Sequence, residues 1–342
     1  MDIRMNKRLG TQTVKMERPV CIVAAASVAG QKEAQGPLAQ HFDIIMEDAE
    51  WGEDTWEKTE SKMQKSALIR AVEKAKTDIK DINYIFAGDL LNQCISSTFG
   101  LGDFGVPFMG VYGACSTMAE TVGLGAMAID GGFASLAAAV TSSHFCTAER
   151  QYRNPLEYGG QRTPTAQWTV TGAGAVLLAE EGCGPFVTHF TSGKIVDFGV
   201  KDANNMGAAM APAAADTLEA HFRDTGRSPE FYDLILSGDL GLVGKAALKD
   251  LMYEKGYMIS QNYDDCGCMI YDIKKQDMHA GGSGCGCLAS TLCGYIIDRI
   301  KRGEIKNLLF MGTGALLSPT STLQGETIPS VAHAVAVSAE RM

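Results

Sequence analysis

No stretch of this chain approaches the ~20 consecutive apolar residues that a membrane-spanning helix needs. Excess positive charge is missing too. Thirty Lys and Arg stand against 40 Asp and Glu, a formal net charge of −10, which argues against a nucleic-acid surface and against adhesion to anionic lipid by charge alone. Residues 1–18 are polar and basic but lack the apolar core of a secretory leader, so the expectation is a protein made and kept inside the cell, its ten cysteines reduced. No G-x-G-x-x-G follows a strand and no Walker signature occurs, which excludes nucleotide binding through those loops. The pairs Cys266-Gly267-Cys268 and Cys285-Gly286-Cys287 are C-x-C, not the C-x-x-C of metal knuckles, and neither metal nor cofactor is expected. No Pro/Ser-rich linker divides the 342 residues, which suffice for a large core in one compact unit.

What the chain does contain is a duplication. Residues 83–90 (NYIFAGDL) are echoed by 233–240 (DLILSGDL), and 113–132 (GACSTMAETVGLGAMAIDGG) by 284–303 (GCGCLASTLCGYIIDRIKRG). Each copy reads strand, turn, helix of small residues, Gly-marked loop, strand. Residues 19–30, 82–86, 135–140, 171–181, 233–237, 308–317 and 332–340 have strand character, whereas 51–76 and 212–225 have helical character. Residues 186–198 alternate like an antiparallel edge or crossover strand. Residues 91–112 read as a connection, and 144–168 as a polar excursion without a period. Alternating strands and helices predict an α/β fold with largely parallel sheets.

Chemistry concentrates at Cys115, which follows a strand-like approach and opens a helix. The positive end of a helix dipole lowers a thiol's pKa, so Cys115 is the candidate nucleophile or pocket-lining thiol.

These residues, with Ser237-Gly238-Asp239-Leu240, residues 171–176 (TGAGAV) and 281–286 (GGSGCG), resemble the thiolase superfamily, which includes the ketoacyl-carrier-protein synthases. That resemblance implies a duplicated αβαβα layered sandwich with an N-terminal half over 1–182 and a C-terminal half over 183–342. It also implies catalytic positions at Cys115 and His279 and a homodimer paired through a first-half strand. Against the synthase pattern, Gly238-Asp239-Leu240 stands where a His is found and Ser283 or a neighbour where an Asn is found, a departure that weakens the implied turnover. More narrowly, residues 112–117 (YGACST), 141–176 with AERQYR at 148–153, and 279–285 (HAGGSGC) resemble the stage V sporulation protein AD family of endospore-forming bacteria.

The family resemblance implies a dipicolinic acid (pyridine-2,6-dicarboxylate) binding component of the machinery that moves this acid in spore formation and germination. It implies peripheral attachment to the cytoplasmic side of the forespore inner membrane, held by proteins of the same complex, some membrane-embedded. A planar dianion calls for bidentate Arg forks beside an aromatic-sized slot. The ligand-binding candidates are Cys115, His144, Arg150, Arg153, Arg162 and Ser283, with Tyr152, Tyr158 and Trp168 as stacking rings. The alternative is an acyltransferase that forms a thioester on Cys115.

Overall fold

Residues 136–143 (LAAAVTSS) carry small side chains on both faces, and they form a strand buried along nearly its whole length. The structure is a computed structural model in which residues 7–152 and 162–341 are described. Its principal strands are β1 (Thr13–Ala29), β2 (Tyr84–Gly88), β3 (Phe108–Gly110), β4 (Leu136–Ser143), β5 (Gly172–Ala179), β6 (Phe186–Thr191), β7 (Leu234–Ser237), β8 (Tyr263–Asp265), β9 (Asn307–Ala315) and β10 (Ser330–Ser338). The helices that matter here are α1 (Trp56–Ala75), α2 (Ile95–Leu101), α3 (Thr117–Asp130), α4 (Phe145–Tyr152), α5 (Met206–Thr225), α6 (Gly241–Glu254) and α7 (Cys285–Thr291), the last continued by a π-turn over Leu292–Ile296.

The strand order is β3-β2-β4-β5-β1-β6-β10-β9-β7-β8. Read outward from the central β1–β6 pair, both halves have the same order, so the duplication seen in the sequence is a duplication of fold. The sheet is mixed, contrary to the parallel expectation. The outer pairs β2–β3, β2–β4, β7–β8 and β7–β9 are parallel. The five inner pairings, from β4–β5 through β1–β6 to β9–β10, are antiparallel. Residues 186–191 are therefore an interior strand at the seam, buried at every position, and not an edge. The excursion at 144–168 contributes α4, and the connection at 91–112 contributes α2 and β3.

Three apolar cores define the layers. Met63, Ala67 and Leu68 of α1 pack on Ile85, Val140 and Leu177, covering the outer face of the first half. Met210, Ala214 and Leu218 of α5 do the same for the second half against Ile235, Leu309 and Ala334. Between the halves, Met118, Val122 and Ala126 of α3 meet Leu288 of α7, Leu292, Phe190 and Val335 in a central core. The result is helix, sheet, helix pair, sheet, helix. The turn before α3 lies at the inner junction.

Candidate ligand site around Cys115

The polypeptide leaves β3 and turns sharply through Val111–Ser116 before α3 begins. Ala114 takes φ +50°, a left-handed conformation uncommon outside glycine. Local hydrogen bonds hold it: Ser116 Oγ donates to Gly113 O at 2.7 Å, Thr117 Oγ1 to Ala114 O at 2.7 Å, and Gly113 N–H to Thr117 Oγ1 at 3.1 Å. The other half clamps the turn from outside. A Cβ on Gly314 of β9 would fall 2.1 Å from Gly113 O, and one on Gly312 would fall 2.6 Å from Ser116 O. Only glycine lets the two backbones approach so closely.

Cys115 is 7 % exposed and packs with Leu90, Ala148, Cys285 and the ring of Tyr152. Tyr152 donates its hydroxyl to Leu90 O and pairs with the Tyr112 hydroxyl at 2.9 Å. Cys285 donates its thiol hydrogen to Ser142 O at 2.9 Å. The polar neighbours of the Cys115 thiol are Asp239, Ser283 and Gly284. Asp239, which follows β7, accepts from Thr313 Oγ1 at 2.7 Å on one oxygen, and from Gly284 N–H at 2.9 Å and Ser283 Oγ at 3.2 Å on the other. Gln167 ties this corner to the Gly-rich turn by donating to Asp239 O at 2.7 Å and Gly282 O at 2.8 Å.

Burial, and then the facing Asp239 carboxylate, push the Cys115 thiol well above its ordinary pKa. The sequence expectation had the opposite sign. A helix start stabilises a charge by about 0.3–1 kcal/mol at exposed sites, whereas full burial shifts an ionisable group by up to about 3–5 pKa units. Desolvation wins, and Cys115 is held as a neutral thiol. Burial likewise raises Asp239 to about 6. A second acidic layer lies behind it. Glu60 of α1 accepts from Ser142 Oγ at 2.9 Å and Thr147 Oγ1 at 2.7 Å. Asp89, the first-copy counterpart of Asp239, accepts from Ser97 N–H at 2.9 Å and Ser97 Oγ at 2.6 Å. Both carboxyls are raised by burial, Glu60 also by the nearby Asp89 charge.

The other candidates are distributed around this corner. Ser283 is buried against Asp239. His279 is half-buried in a left-handed turn at φ +51°, its Nδ1 2.8 Å from Thr163 O and its Nε2 3.5 Å from Asp277. His144 is buried: Cys146 N–H donates to its Nδ1 at 3.1 Å, which leaves Nε2–H to donate to Ala49 O at 3.0 Å. Burial lowers its pKa and keeps it neutral. Arg150 pairs with Glu57 and lies over Trp56. Arg162 donates to Gln167 O at 2.5 Å and stacks on Trp168. Trp168 itself stacks on Phe145. Arg153 and Tyr158 lie outside the described residues. For the Cys-Gly-Cys pairs, no group of three or more His, Cys, Asp or Glu among the described residues is placed to hold a metal ion.

Solved structures share this architecture. The 3-oxoacyl-[acyl-carrier-protein] synthase III of Aquifex aeolicus superposes with a TM-score of 0.58 at 12 % identity, covering 93 % of this chain and 99 % of that one. A variant of OleA from Xanthomonas campestris does so with a TM-score of 0.60 at 15 % identity, covering 93 % and 98 %. The fold is thus the thiolase-like αβαβα sandwich of the 3-oxoacyl synthases. The particular family follows from sequence. The stage V sporulation protein AD (SpoVAD) family model matches residues 10–338. The chain is also 44 % identical over 329 residues to stage V sporulation protein AD of Bacillus subtilis (strain 168), covering 96 % of this chain and 97 % of that protein. The chain belongs to the stage V sporulation protein AD family. No helix among the described residues is long and apolar enough to cross a membrane.

Proposed function

We propose that this protein is a non-catalytic, dipicolinate-binding component of the spore machinery, built on a synthase scaffold whose thiol is silenced. The observation that carries the reading is Asp239 against Cys115. A synthase thiol needs a neighbour that favours thiolate and donors that stabilise a developing oxyanion. A buried carboxylate does neither. It disfavours a second negative charge beside it and accepts the hydrogen bonds of Ser283 and Gly284. Retention of the whole fold around an inert thiol fits a binding role, and the family resemblance supplies dipicolinate as the ligand. The protein would attach to the cytoplasmic side of the forespore inner membrane through protein partners, since its net charge of −10 gives anionic lipid nothing to hold.

Two measurements test this reading. Calorimetric titration with dipicolinate should give saturable binding. Intact-mass analysis after incubation with acyl-CoA donors should show an unmodified Cys115. A thioester adduct there with release of free CoA would overturn the proposal in favour of acyl transfer.

A homodimer is part of the same proposal. Among the described residues strand β3 is a sheet edge, and its Phe108 and Met109 are exposed, as is Tyr112 just beyond it. An unpaired apolar edge invites pairing with a second copy. Met109→Asp should convert the dimer to a monomer by light scattering; a monomeric natural chain would refute it.

A further inference from the structure

One aromatic ring stands between the thiol and solvent. Cys115 is buried, and the half-buried Tyr152 packs against the cluster that it forms with Leu90, Ala148 and Cys285. Tyr112, hydrogen-bonded to Tyr152, is 45 % exposed. Burial thus falls from the thiol to Tyr152 to Tyr112. Both phenolic hydroxyls lie within electrostatic reach of the Cys115 and Cys285 thiols.

The ring is held at both ends. Ala148 precedes Tyr152 by one helical turn, so the two share the face of α4 that meets the corner. At its tip the Tyr152 hydroxyl donates to Leu90 O, which leaves its oxygen to accept from the Tyr112 hydroxyl at 2.9 Å. Gln151 grips the same loop. Its Nε2 donates to Leu90 O at 3.1 Å and Asn92 Oδ1 at 3.3 Å, and its Oε1 accepts from Asn92 N–H at 3.2 Å. The loop runs on through Gln93 at φ +59° and Cys94 at φ +51°, consecutive left-handed residues of a kind that persists where the surroundings over-determine the backbone. Filling space needs the ring alone; this ring is also anchored at its tip, beside a second side chain bound to the same carbonyl.

The walls fix what this position accepts. Leu90, Ala148 and two thiols held neutral by burial are apolar, and Leu90 O supplies one acceptor at the tip. Asp239, Asp89 and Glu60 act on the Cys115–Cys285 corner from around it, so an incoming anion is repelled. We infer that the Cys115 corner is a seat for a flat, neutral aromatic ring bearing one hydroxyl, and that Tyr152 occupies it from within the chain as an autoinhibitory contact. The inference rests on the silent-thiol reading above and adds a steric lock to the electrostatic one. It follows that the dipicolinate dianion sits elsewhere on the protein.

The test is alkylation of the full chain with iodoacetamide, followed at Cys115 by peptide mass spectrometry with the exposed Cys183 as internal reference. Tyr152→Ala removes the phenol ring and keeps its Cβ, so added phenol supplies the missing atoms. Cys115 should react about 10-fold faster or more in Tyr152→Ala than in the natural chain, and phenol should return the rate to within about 2-fold of natural. Phenol should also raise the melting temperature of Tyr152→Ala and not that of the natural chain. Tyr152→Phe keeps the ring and loses the anchor at Leu90 O; it should react at an intermediate rate, and it carries the test if Tyr152→Ala does not fold. Benzoate and dipicolinate should protect neither variant. Equal Cys115 rates in the natural chain and the folded variants, or a fast Tyr152→Ala rate that phenol leaves unchanged, overturn the inference while the silent-thiol reading stands. Protection by dipicolinate overturns the neutral seat. A thioester formed on Cys115 from an acyl-CoA donor in Tyr152→Ala, and not in the natural chain, supports the steric lock and overturns the silent-thiol reading, because Asp239 would then not disable the thiol.

Discussion

Replacing Gly314 with alanine is expected to destabilise the protein by about 3 kcal/mol or more, at or beyond the upper end of ordinary overpacking. The new methyl carbon would lie 2.1 Å from the Gly113 carbonyl oxygen. That neighbour is backbone, locked by the Ser116 hydroxyl, so no side chain can swing away. Either β9 or the Cys115 turn must move, and both are buried in the central junction. Gly102, where a Cβ meets nothing within 4 Å, is the control, and Gly102→Ala should be neutral or slightly stabilising. Urea unfolding of the two variants decides the matter. Equal midpoints would show that the halves do not clamp the turn.

Acid should unfold the protein steeply, and the sign follows from its buried histidines. His221 lies between α5 and the sheet, its Nδ1 2.7 Å from Thr191 Oγ1 and its Nε2 2.5 Å from the Tyr232 hydroxyl. Burial lowers His221 and the neighbouring His189 to about 3. A histidine with a folded pKa below its free value of about 6.5 binds more protons when unfolded, so its contribution to stability is full above pH 6.5 and is lost as pH falls toward the folded value. Together the pair costs about 2.8 kcal/mol per pH unit in that window.

Glu33 and Asp239 act in the opposite direction. Burial raises both to about 6, so they gain stability as pH falls through 6 and stop gaining near their free values of about 4. The two effects nearly cancel between pH 6 and about 4.5. Below that the histidines, with His333 lowered to about 4, carry the loss together with carboxyls held below their free values, such as Asp224. The raised carboxyl of Glu60 adds a decline on the alkaline side, which Glu60→Gln should remove. Urea midpoints against pH should therefore show a plateau, with collapse below about pH 4.5. His221→Gln should make that collapse shallower. A natural chain as stable at pH 3.5 as at pH 6 would overturn the assignment.

Much of the architecture was legible because duplication writes its signal twice. The paired Gly-Asp-Leu segments at 88–90 and 238–240 end equivalent strands, and they marked Asp239 as a departure from the synthase pattern before any geometry was known. Strand direction was not legible. Composition reports burial on both faces, which the antiparallel inner strands and the parallel outer ones share. The helix at α5 begins at Met206, earlier than its Pro212 suggested, because Asn205 caps it by accepting from Ala208 N–H and the alanines around the proline leave the ring room.

The site divides in the same way. Cys115 at a helix start is a local pattern and was visible. Its raised pKa comes first from burial and then from Asp239, over a hundred positions away, and neither has a local signature. Arg150 of α4 is paired with Glu57 of α1, nearly a hundred positions earlier, a partner with no local signature.

Strand β10 has a consequence for synthesis on the ribosome. It slots between β9 and β6, both made earlier, and its arrival completes the ladder across the seam. Until residues 330–338 leave the exit tunnel, the nascent chain presents two open ladder edges in its middle, a ready target for holdase chaperones and for premature pairing with a neighbouring polysome product. In chain order β10 follows every other strand of the sheet, so the ladder across the seam closes only after both of its neighbours have been made.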